Sequence, residues 1–376
     1  MLNISSRLAY VVIEGISLKG KSISLRRMFA CAILAVLSLT LLPSLSATTV
    51  APMQSPPTFT NWVAWQAYIT KVPTPQAGCF EANYPNPVWQ QVQCGPASSQ
   101  PMTVGNTNDW IAQVGGGTGK LLTYSIGTLS TTGLTSETDV CVGPPPFCTS
   151  GGKGAHYYSL QINSNIGFPV TYHGKSTTGW EQFLYDSEGF SGSCGPTSPT
   201  CGLIFIEYWL LGYAKANGGK CPPAKQDPPG GGFGWAKSGA DCYFNTDGTL
   251  APAEYATSLY LVTMTAYAHP TGNPNDGVTF CVFLNGCYAK SITYTVLNLW
   301  KQWKQSEFNV FGYDDGSQAQ FNSGTTITVQ QVLEDHLGVA FGTASCLKGG
   351  FTGETNNLNL GSCSTGNSYI DFTESN

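Results

Sequence analysis

The sequence predicts an all-β protein, a sandwich of two antiparallel sheets with long loops that disulfides fasten. The chain of 376 residues contains 44 Gly and 23 Pro, and only 10% of its residues are charged, which is typical of an exported β-rich protein. From Val104 onwards, short runs of alternating residues are separated by clusters of Gly, Pro and Ser, the pattern of a sandwich. The segment 214–250, which contains Cys221 and Cys242, is too long for a hairpin turn and indicates a long loop.

The N-terminus predicts export. Arg26 and Arg27 precede an apolar run from Met28 to Leu42, and a small-residue stretch ending at Ala47 follows. This order of basic, apolar and small residues is that of a secretory signal peptide. About 15 apolar residues are few for a membrane span. We therefore expect residues 1–47 to be removed and the mature chain to be secreted, extracellular and without a stable membrane anchor.

The charge balance restricts the possible partners. Removal of residues 1–47 takes away 5 of the 17 basic residues and 1 of the 22 acidic ones, which leaves 12 and 21 and a formal charge of −9. A nucleic-acid partner is not expected, because it requires a basic patch. The acidic balance fits an extracellular protein that works in acid, where protonation of carboxylates lowers the net repulsion. We expect a monomer.

The cysteines predict a disulfide framework. Of 13 cysteines, 12 follow the signal peptide, and an even number in a secreted chain indicates disulfides. We expect neighbours in sequence to pair, because each pair brackets a turn or loop: Cys79–Cys94, Cys141–Cys148, Cys194–Cys201, Cys221–Cys242, Cys281–Cys287 and Cys346–Cys363. A metal site is not expected, because there is no Cys-x-x-Cys and the four His are scattered.

An N-terminal extension, 48–102, is expected to precede the sandwich domain, 103–376. The extension is rich in Pro and irregular, apart from a predicted amphipathic helix over 61–71 with Trp62, Trp65 and Ile69 on one side. It is either a propeptide that is removed or a strap that its own disulfide fastens. The strands predicted in the sandwich domain are 109–114, 121–125, 157–164, 180–186, 203–213, 258–268, 278–284, 291–296, 306–311, 318–321 and 325–332.

Alternation in four of these strands separates an apolar face from a polar one. The apolar face fits the core between two sheets. Glu181 is an exception, because it shares a face with Phe183, and we expect it at a strand end. The polar faces combine carboxylates and amides with indole rings, as suits the binding of a sugar or a peptide: Ser159, Gln161, Asn163, Trp180, Gln182, Glu207, Trp209, Glu307 and Asn309.

The order of several motifs resembles that of the glutamic peptidases, the eqolisin family of secreted acid proteases, over residues 104–330. Asn108-Asp-Trp-Ile-Ala112, Tyr158-Ser-Leu-Gln-Ile-Asn163 and Trp180-Glu-Gln-Phe-Leu184 stand in the places of the first three family strands. Ile206-Glu-Tyr-Trp-Leu210, Val262-Thr-Met-Thr-Ala266 and Ser306-Glu-Phe-Asn-Val310 stand in the places of the later ones. The family signature Trp-x-Gly-Ile-Asp-Gly and the Gln-Thr-Gly of the glutamine strand are absent.

The resemblance implies a concanavalin-like sandwich and an acid endopeptidase that cleaves polypeptides without a cofactor. In the family, a Glu acts as general base on a water while a Gln orients the water and stabilises the oxyanion. Glu307 matches the Glu, and Gln182 matches the Gln. Another register places Gln161 at the catalytic Gln. Substrate binding would then fall to Glu207, Trp209, Trp180, Gln161 and Asn309.

Two alternatives stay open. Glu207 and Glu307 on one concave face also suit the paired carboxylates of a glycosidase or lyase. A lectin-like module would bind a polysaccharide without catalysis, and its sugar rings would stack on Trp180, Trp209, Trp235 and Tyr213. Other chemistries lack their motifs, because the sequence contains neither Gly-x-Ser-x-Gly nor a Walker spacing.

Overall fold

The computed structural model describes residues 57–98, 101, 109–114, 120–142, 152–190, 200–223, 234–269, 275–293, 296–313, 316–335, 342–349 and 355–376. Within these ranges, most regular structure is β-strand, which confirms the predicted fold class. The helices are short: α1 (Trp62–Ile69), α2 (Tyr213–Ala216) and two 3₁₀ helices (Ala256–Leu261 and Leu299–Lys301). The predicted signal peptide, 1–47, lies outside the described residues.

The strands follow one another along the whole described chain. The first twelve are β1 (Gly78–Ala82), β2 (Gln90–Val92), β3 (Trp110–Val114), β4 (Tyr124–Thr132), β5 (Glu137–Cys141), β6 (Gly154–Ala155), β7 (Ser159–Ser164), β8 (Phe168–Tyr172), β9 (Lys175–Phe190), β10 (Cys201–Leu211), β11 (Ala236–Ser238) and β12 (Asp241–Asn245). The others are β13 (Thr249–Pro252), β14 (Val262–Ala268), β15 (Asp276–Val282), β16 (Gly286–Ile292), β17 (Gln305–Phe311), β18 (Ser317–Phe321), β19 (Thr326–Glu334), β20 (Ala344–Lys348), β21 (Thr355–Asn356), β22 (Asn359–Thr365) and β23 (Tyr369–Ser375).

Two large antiparallel sheets form the sandwich. The nine-stranded sheet has the order β2-β1-β16-β15-β14-β4-β19-β23-β22. The ten-stranded sheet has the order β11-β12-β10-β9-β7-β17-β3-β20, with β13 paired to β10 and β8 paired to β9. A small four-stranded sheet, β21-β18-β5-β6, lies beside them. The strands with the predicted polar faces, β7, β9, β10 and β17, are neighbours in the middle of the ten-stranded sheet.

The core between the sheets contains the apolar faces that alternation predicts. Ile162, Phe183 and Phe308 belong to one buried cluster with Phe280 and Phe372 of the nine-stranded sheet. The stacked rings of Tyr185 and Phe280, with centroids 3.9 Å apart, join the two sheets. Because these side chains face inwards, the residues between them on each strand face away from the core.

The position predicted for Glu181 is wrong. Instead of lying at a strand end, Glu181 lies well inside β9 and is fully buried. Its parity with Phe183 and Tyr185 directs its side chain to the core side of the sheet. The strand is 16 residues long, so it continues far beyond the 180–186 that alternation predicts, and the carboxyl has no strand end at which to reach water.

The described part of the N-terminal extension is built into the nine-stranded sheet. Helix α1 begins after Asn61, whose side chain accepts a hydrogen bond from the backbone N–H of Ala64 at 2.9 Å, a normal N-cap. Its buried residues are the predicted Trp62, Trp65 and Ile69, and they pack in a separate apolar cluster. Strand β1 pairs with β16 over five residues. Whether this extension is removed stays a prediction.

Four of the expected disulfides lie within the described ranges: Cys79–Cys94, Cys221–Cys242, Cys281–Cys287 and Cys346–Cys363. Cys141 and Cys201 are disulfide-bonded as well, and their predicted partners, Cys148 and Cys194, lie outside the described residues. None of the helices in the described part of the chain is long and apolar enough to cross a membrane.

Candidate functional site

Five polar residues lie side by side across the middle of the ten-stranded sheet. The strand registers align Asn245 with Glu207, Glu207 with Gln182, Gln182 with Asn163, and Asn163 with Glu307. Residues paired in this way point to the same face of a sheet, and here it is the face opposite the core. We call these five residues the polar row. It brings together Glu307, Gln182 and Glu207 from three of the predicted site strands.

Hydrogen bonds connect Glu307, the candidate general base, to the amide side chains of Asn163 and Gln182. Asn163 donates from Nδ2 to Oε2 of Glu307 at 3.0 Å. Gln182 donates from Nε2 to Oδ1 of Asn163 at 3.1 Å. Trp209 donates from Nε1 to Oε1 of Gln182 at 2.8 Å. Glu307 and Gln182 are therefore linked through the one residue that lies between them, and Trp209 fixes which way the Gln182 amide points.

Gln161 lies two residues before Asn163 on β7, so it is outside the polar row but points to the same face. It aligns with Asn309 on β17 and with Leu184 on β9. Its Oε1 accepts a second hydrogen bond from Nε2 of Gln182 at 3.0 Å, and its own Nε2 donates to Oγ of Ser159 at 2.9 Å. Gln161 thus supports Gln182, whereas Gln182 shares the row of Glu307.

An aromatic cluster borders the row. Trp180 aligns with Trp209 on β10, and Trp209 aligns with Tyr243 on β12. The ring centroids of Trp180 and Trp209 are 6.1 Å apart, and those of Trp209 and Tyr243 are 5.4 Å apart. Trp180 donates from Nε1 to the carbonyl of Ser164 at 3.2 Å. The indoles are held on the face where alternation predicts them.

The polar row is buried in this structure. The exposed fraction is 0% for Glu307, Asn163, Gln182 and Glu207, and 4% for Asn245. Asn245 donates from Nδ2 to the carbonyl of Ser98 at 3.1 Å, so the end of the described N-terminal segment contacts one end of the row.

Asn309 lies apart from the polar row, in a second polar cluster. Its Nδ2 donates to Oδ2 of Asp109 at 2.8 Å and to Oε2 of Glu374 at 3.3 Å. A cavity of about 160 Å³ is lined by these residues together with Gln318, Thr355, Asn356 and Leu358. Burial raises the pKa of Asp109 to about 7, and burial together with the Asp109 charge raises that of Glu374 to about 8.

Asn163, Asp109 and Glu374 are not among the site residues that the sequence predicts. Asn163 lies two residues after Gln161, and this spacing, which places both on the same face of a strand, is the pattern that could have indicated it. Glu374 carried no such signal, since its contact with Asn309 joins residues 65 positions apart. Two aromatic residues of the lectin alternative, Trp235 and Tyr213, belong to the apolar core rather than to the face that carries Trp180.

A metal site finds little support in the described ranges. The group of possible ligands found there consists of Cys79, Cys94 and Asp247. The two cysteines are joined in a disulfide, and a disulfide sulfur is not the thiolate that a metal requires.

No protein-family model matches the chain, and no curated protein sequence matches it. Among solved structures, it is similar to Scytalido-glutamic peptidase with a peptide-based transition state analog, at 10% identity and a TM-score of 0.31, covering 72% of this chain and 98% of that one. It is also similar to a beta-porphyranase from the human gut bacterium Bacteroides plebeius, at 10% identity and a TM-score of 0.21, covering 65% and 85%. Likenesses this weak carry no argument about chemistry.

Proposed function

We propose that the chain is a secreted acid endopeptidase of the glutamic type, with Glu307 as general base and Gln182 as oxyanion stabiliser. The supporting observation is the hydrogen-bonded connection from Glu307 through Asn163 to Gln182 on three adjacent strands. A carboxylate and an amide on rigid strands, each held by a neighbour, are the pair that such a reaction needs.

In the proposed reaction, Glu307 takes a proton from a water as the water oxygen bonds to the peptide carbonyl carbon. The amide of Gln182 donates a hydrogen bond to the oxygen that becomes negative, a contribution typically worth a few kcal/mol. The carbon–nitrogen bond then breaks, and the proton held by Glu307 passes to the leaving amine. Charge and atoms balance without a cofactor.

The proposed water must lie between Gln182 and Glu307. Gln182 and Glu307 lie two strands apart, so their Cα atoms are about 10 Å apart at ~4.8 Å per strand. The shorter Asn163 lies between the two longer side chains. Both amide hydrogens of Gln182 are used, one by Gln161 and one by Asn163. One of these bonds must therefore be exchanged for the bond to the oxyanion when substrate binds.

Secretion and acid conditions belong to the same proposal. A carboxylate base works only when ionised, and a Glu with an ordinary pKa of about 4.3 is ionised in mild acid. The disulfides fit an oxidising compartment outside the cell. We expect a polypeptide substrate and a monomeric enzyme.

The glycosidase alternative is less favoured. Glu207 and Glu307 are three strands apart in the row, which places their Cα atoms about 14 Å apart. Carboxyls of glycosidases are about 5 to 9.5 Å apart, a separation that Glu207 and Glu307 reach from this Cα distance only if both side chains lean toward each other. Trp180 and Trp209, which a sugar-binding module would use, are as fully buried as Glu307 and Gln182, so burial does not separate this alternative from the peptidase.

The test is an acid digestion of unfolded protein at about pH 3–4, near the pKa of a free carboxyl, with pepstatin present. Wild type is compared with Glu307→Gln and Gln182→Ala, and with Gln320→Ala as a control on the exposed part of β18. We expect cleavage by wild type and by the control, with a loss of at least about 100-fold in the two site variants, as for removal of an oxyanion donor. Undiminished cleavage by Glu307→Gln would contradict the assignment, and sugar binding without cleavage would favour the lectin alternative.

A further inference from the structure

Two carboxyl groups are buried on the core sides of the two opposing sheets. Glu181 belongs to β9 of the ten-stranded sheet, and Asp276 begins β15 of the nine-stranded sheet. Both are fully buried, and none of their four carboxyl oxygens accepts a hydrogen bond from another group in the structure. The charges of the two carboxyls act on each other. We call Glu181 and Asp276 the inner pair.

A second carboxyl pair also has one member from each sheet. Asp109 comes directly before β3 of the ten-stranded sheet, and Glu374 lies on β23 of the nine-stranded sheet. Nδ2 of Asn309 donates to both, at 2.8 and 3.3 Å, so their accepting oxygens are within about 6 Å of each other. Asn356 donates from Nδ2 to Glu374 at 3.2 Å. We call Asp109 and Glu374 the outer pair.

No positive charge compensates either pair in the described part of the chain. The ion pairs found there are Lys71–Glu334 and Lys290–Asp247, and the sequence contains no Arg after Arg27. The titratable groups that act on the inner pair are the hydroxyls of Tyr208 on β10 and Tyr267 on β14. Asn309 and Asn356 are the polar groups that face the outer pair. A buried carboxylate without a cation is costly, whereas a shared proton removes one charge from each pair.

We propose that the inner and outer pairs are proton-dependent clasps between the two sheets, which keep the sandwich closed while each pair holds a proton and loosen it when the pair ionises. The device is separate from peptide cleavage and does not depend on it. Each clasp joins strands that no backbone ladder connects, because its members belong to different sheets.

The direction of the pH dependence follows from burial. Burial raises the pKa of Glu181 and of Asp276 well above the ordinary range. The pKa of Glu374 rises from 4.5 to about 8. Between about pH 4 and pH 8, the folded protein therefore binds more protons than the unfolded chain, and stability falls as pH rises. For Glu374 alone, this shift multiplies the unfolding equilibrium constant roughly 1,000-fold across that range.

The experiment measures urea unfolding of the mature secreted chain at pH 4, 6 and 8. We expect wild type to lose stability as pH rises. The side chains introduced by Glu374→Gln and Glu181→Gln carry no charge at any of these pH values, so both variants should lose less stability than wild type as pH rises. For Glu374→Gln, the change in the unfolding equilibrium constant between pH 4 and pH 8 should be roughly 1,000-fold smaller than in wild type. Asp371→Asn on β23 and Glu188→Gln on β9 are matched controls, because both residues are only partly buried. The two controls should show the same pH dependence of stability as wild type. If Glu374→Gln and Glu181→Gln also show the wild-type pH dependence, the proposed clasps are refuted.

A second measurement needs no variant. Wild-type protein is unfolded with urea at pH 6 in weakly buffered solution that contains an indicator dye. We expect unfolding to release protons, because the folded state holds them on the carboxyl pairs. Proton uptake, or no exchange, would overturn the proposal even if a variant failed to fold. Both readouts follow folding rather than cleavage, so they are independent of whether the chain is a peptidase.

Discussion

Replacing Asn163 by Asp tests the central contact of the polar row. The two side chains have the same shape, so the substitution places an oxygen where Nδ2 now lies, 3.0 Å from Oε2 of Glu307. A hydrogen-bond donor to the base becomes a second carboxyl next to it. Two carboxyls at this distance do not both ionise readily, and one proton is shared between them. The expected result is a raised pKa for the Glu307 base.

The size of the effect follows from the distance. Two unit charges about 3 Å apart repel each other by roughly 5 kcal/mol at an effective dielectric constant of 20. At 1.36 kcal/mol per pKa unit, this is an upper limit of about 4 units. Carboxyl pairs in enzymes differ by about 3 units. We therefore expect the apparent pKa of the base to rise by about 2 to 3 units in Asn163→Asp relative to wild type.

The assay is the pH dependence of kcat on an unfolded protein substrate. In wild type, the rate should rise with the ionisation of Glu307, and in Asn163→Asp the same rise should occur at higher pH. Asn359→Asp is a matched control, since it introduces the same charge at an exposed site on β22. If the profile of Asn163→Asp coincides with that of the control, the base is not the carboxyl that Asn163 contacts, and the proposed assignment of Glu307 fails.

Three further predictions concern the row, the core and the N-terminal segment. Trp209→Phe removes the donor to Gln182, and we expect kcat to fall about 5-fold from the loss of roughly 1 kcal/mol, with an unchanged circular dichroism spectrum. An unchanged kcat would show that Trp209 does not support catalysis. Gly127→Ala places a methyl group against the buried ring of Phe308. The free energy of unfolding, measured in urea, should therefore fall by about 1–3 kcal/mol. A variant as stable as wild type would contradict the close approach of β4 and β17. Strand β1 of the extension pairs with β16 of the sandwich domain, so intact mass and N-terminal sequencing should find the mature chain beginning near residue 48. A mature N-terminus after Ser98 would show that the extension is a propeptide.

The sequence was sufficient to predict which residues of the central strands point to the core and which point away from it. Alternation placed Phe183 and Phe308 inwards and Gln182 and Glu307 outwards, because the period of a strand is two regardless of its neighbours. The sequence was not sufficient to predict the register between strands, because hydrophobic patterns specify the register only to within a shift of two residues. For this reason, the sequence left Gln161 as an alternative to Gln182, and only the strand pairing shows that Gln182 lies in the row of Glu307 and Gln161 does not.

Contacts between residues far apart in the sequence were the other feature that the sequence did not predict. Asp276 lies 95 positions after Glu181 in the sequence, so nothing near Glu181 indicated that a second carboxyl is buried on the core side of the other sheet. Strand β1 was missed because its partner β16 is about 200 positions away and its five residues show no strong alternation. The predicted strand 258–268 was correct only in its second half, because residues 256–261 form a 3₁₀ helix instead.

The polar row has a consequence for how correct folding can be recognised. Each of its five members comes from a different strand, so the site is assembled only when four separate strand pairings are all in register. If β9 slipped by one residue, Phe183 would replace Gln182 on the outer face and Gln182 would enter the core. Slippage of β17 would likewise exchange Glu307 for an apolar or small neighbour. Activity would then serve as a sensor of sheet alignment, able to reveal misregistered molecules that compactness or strand content alone cannot distinguish from native protein.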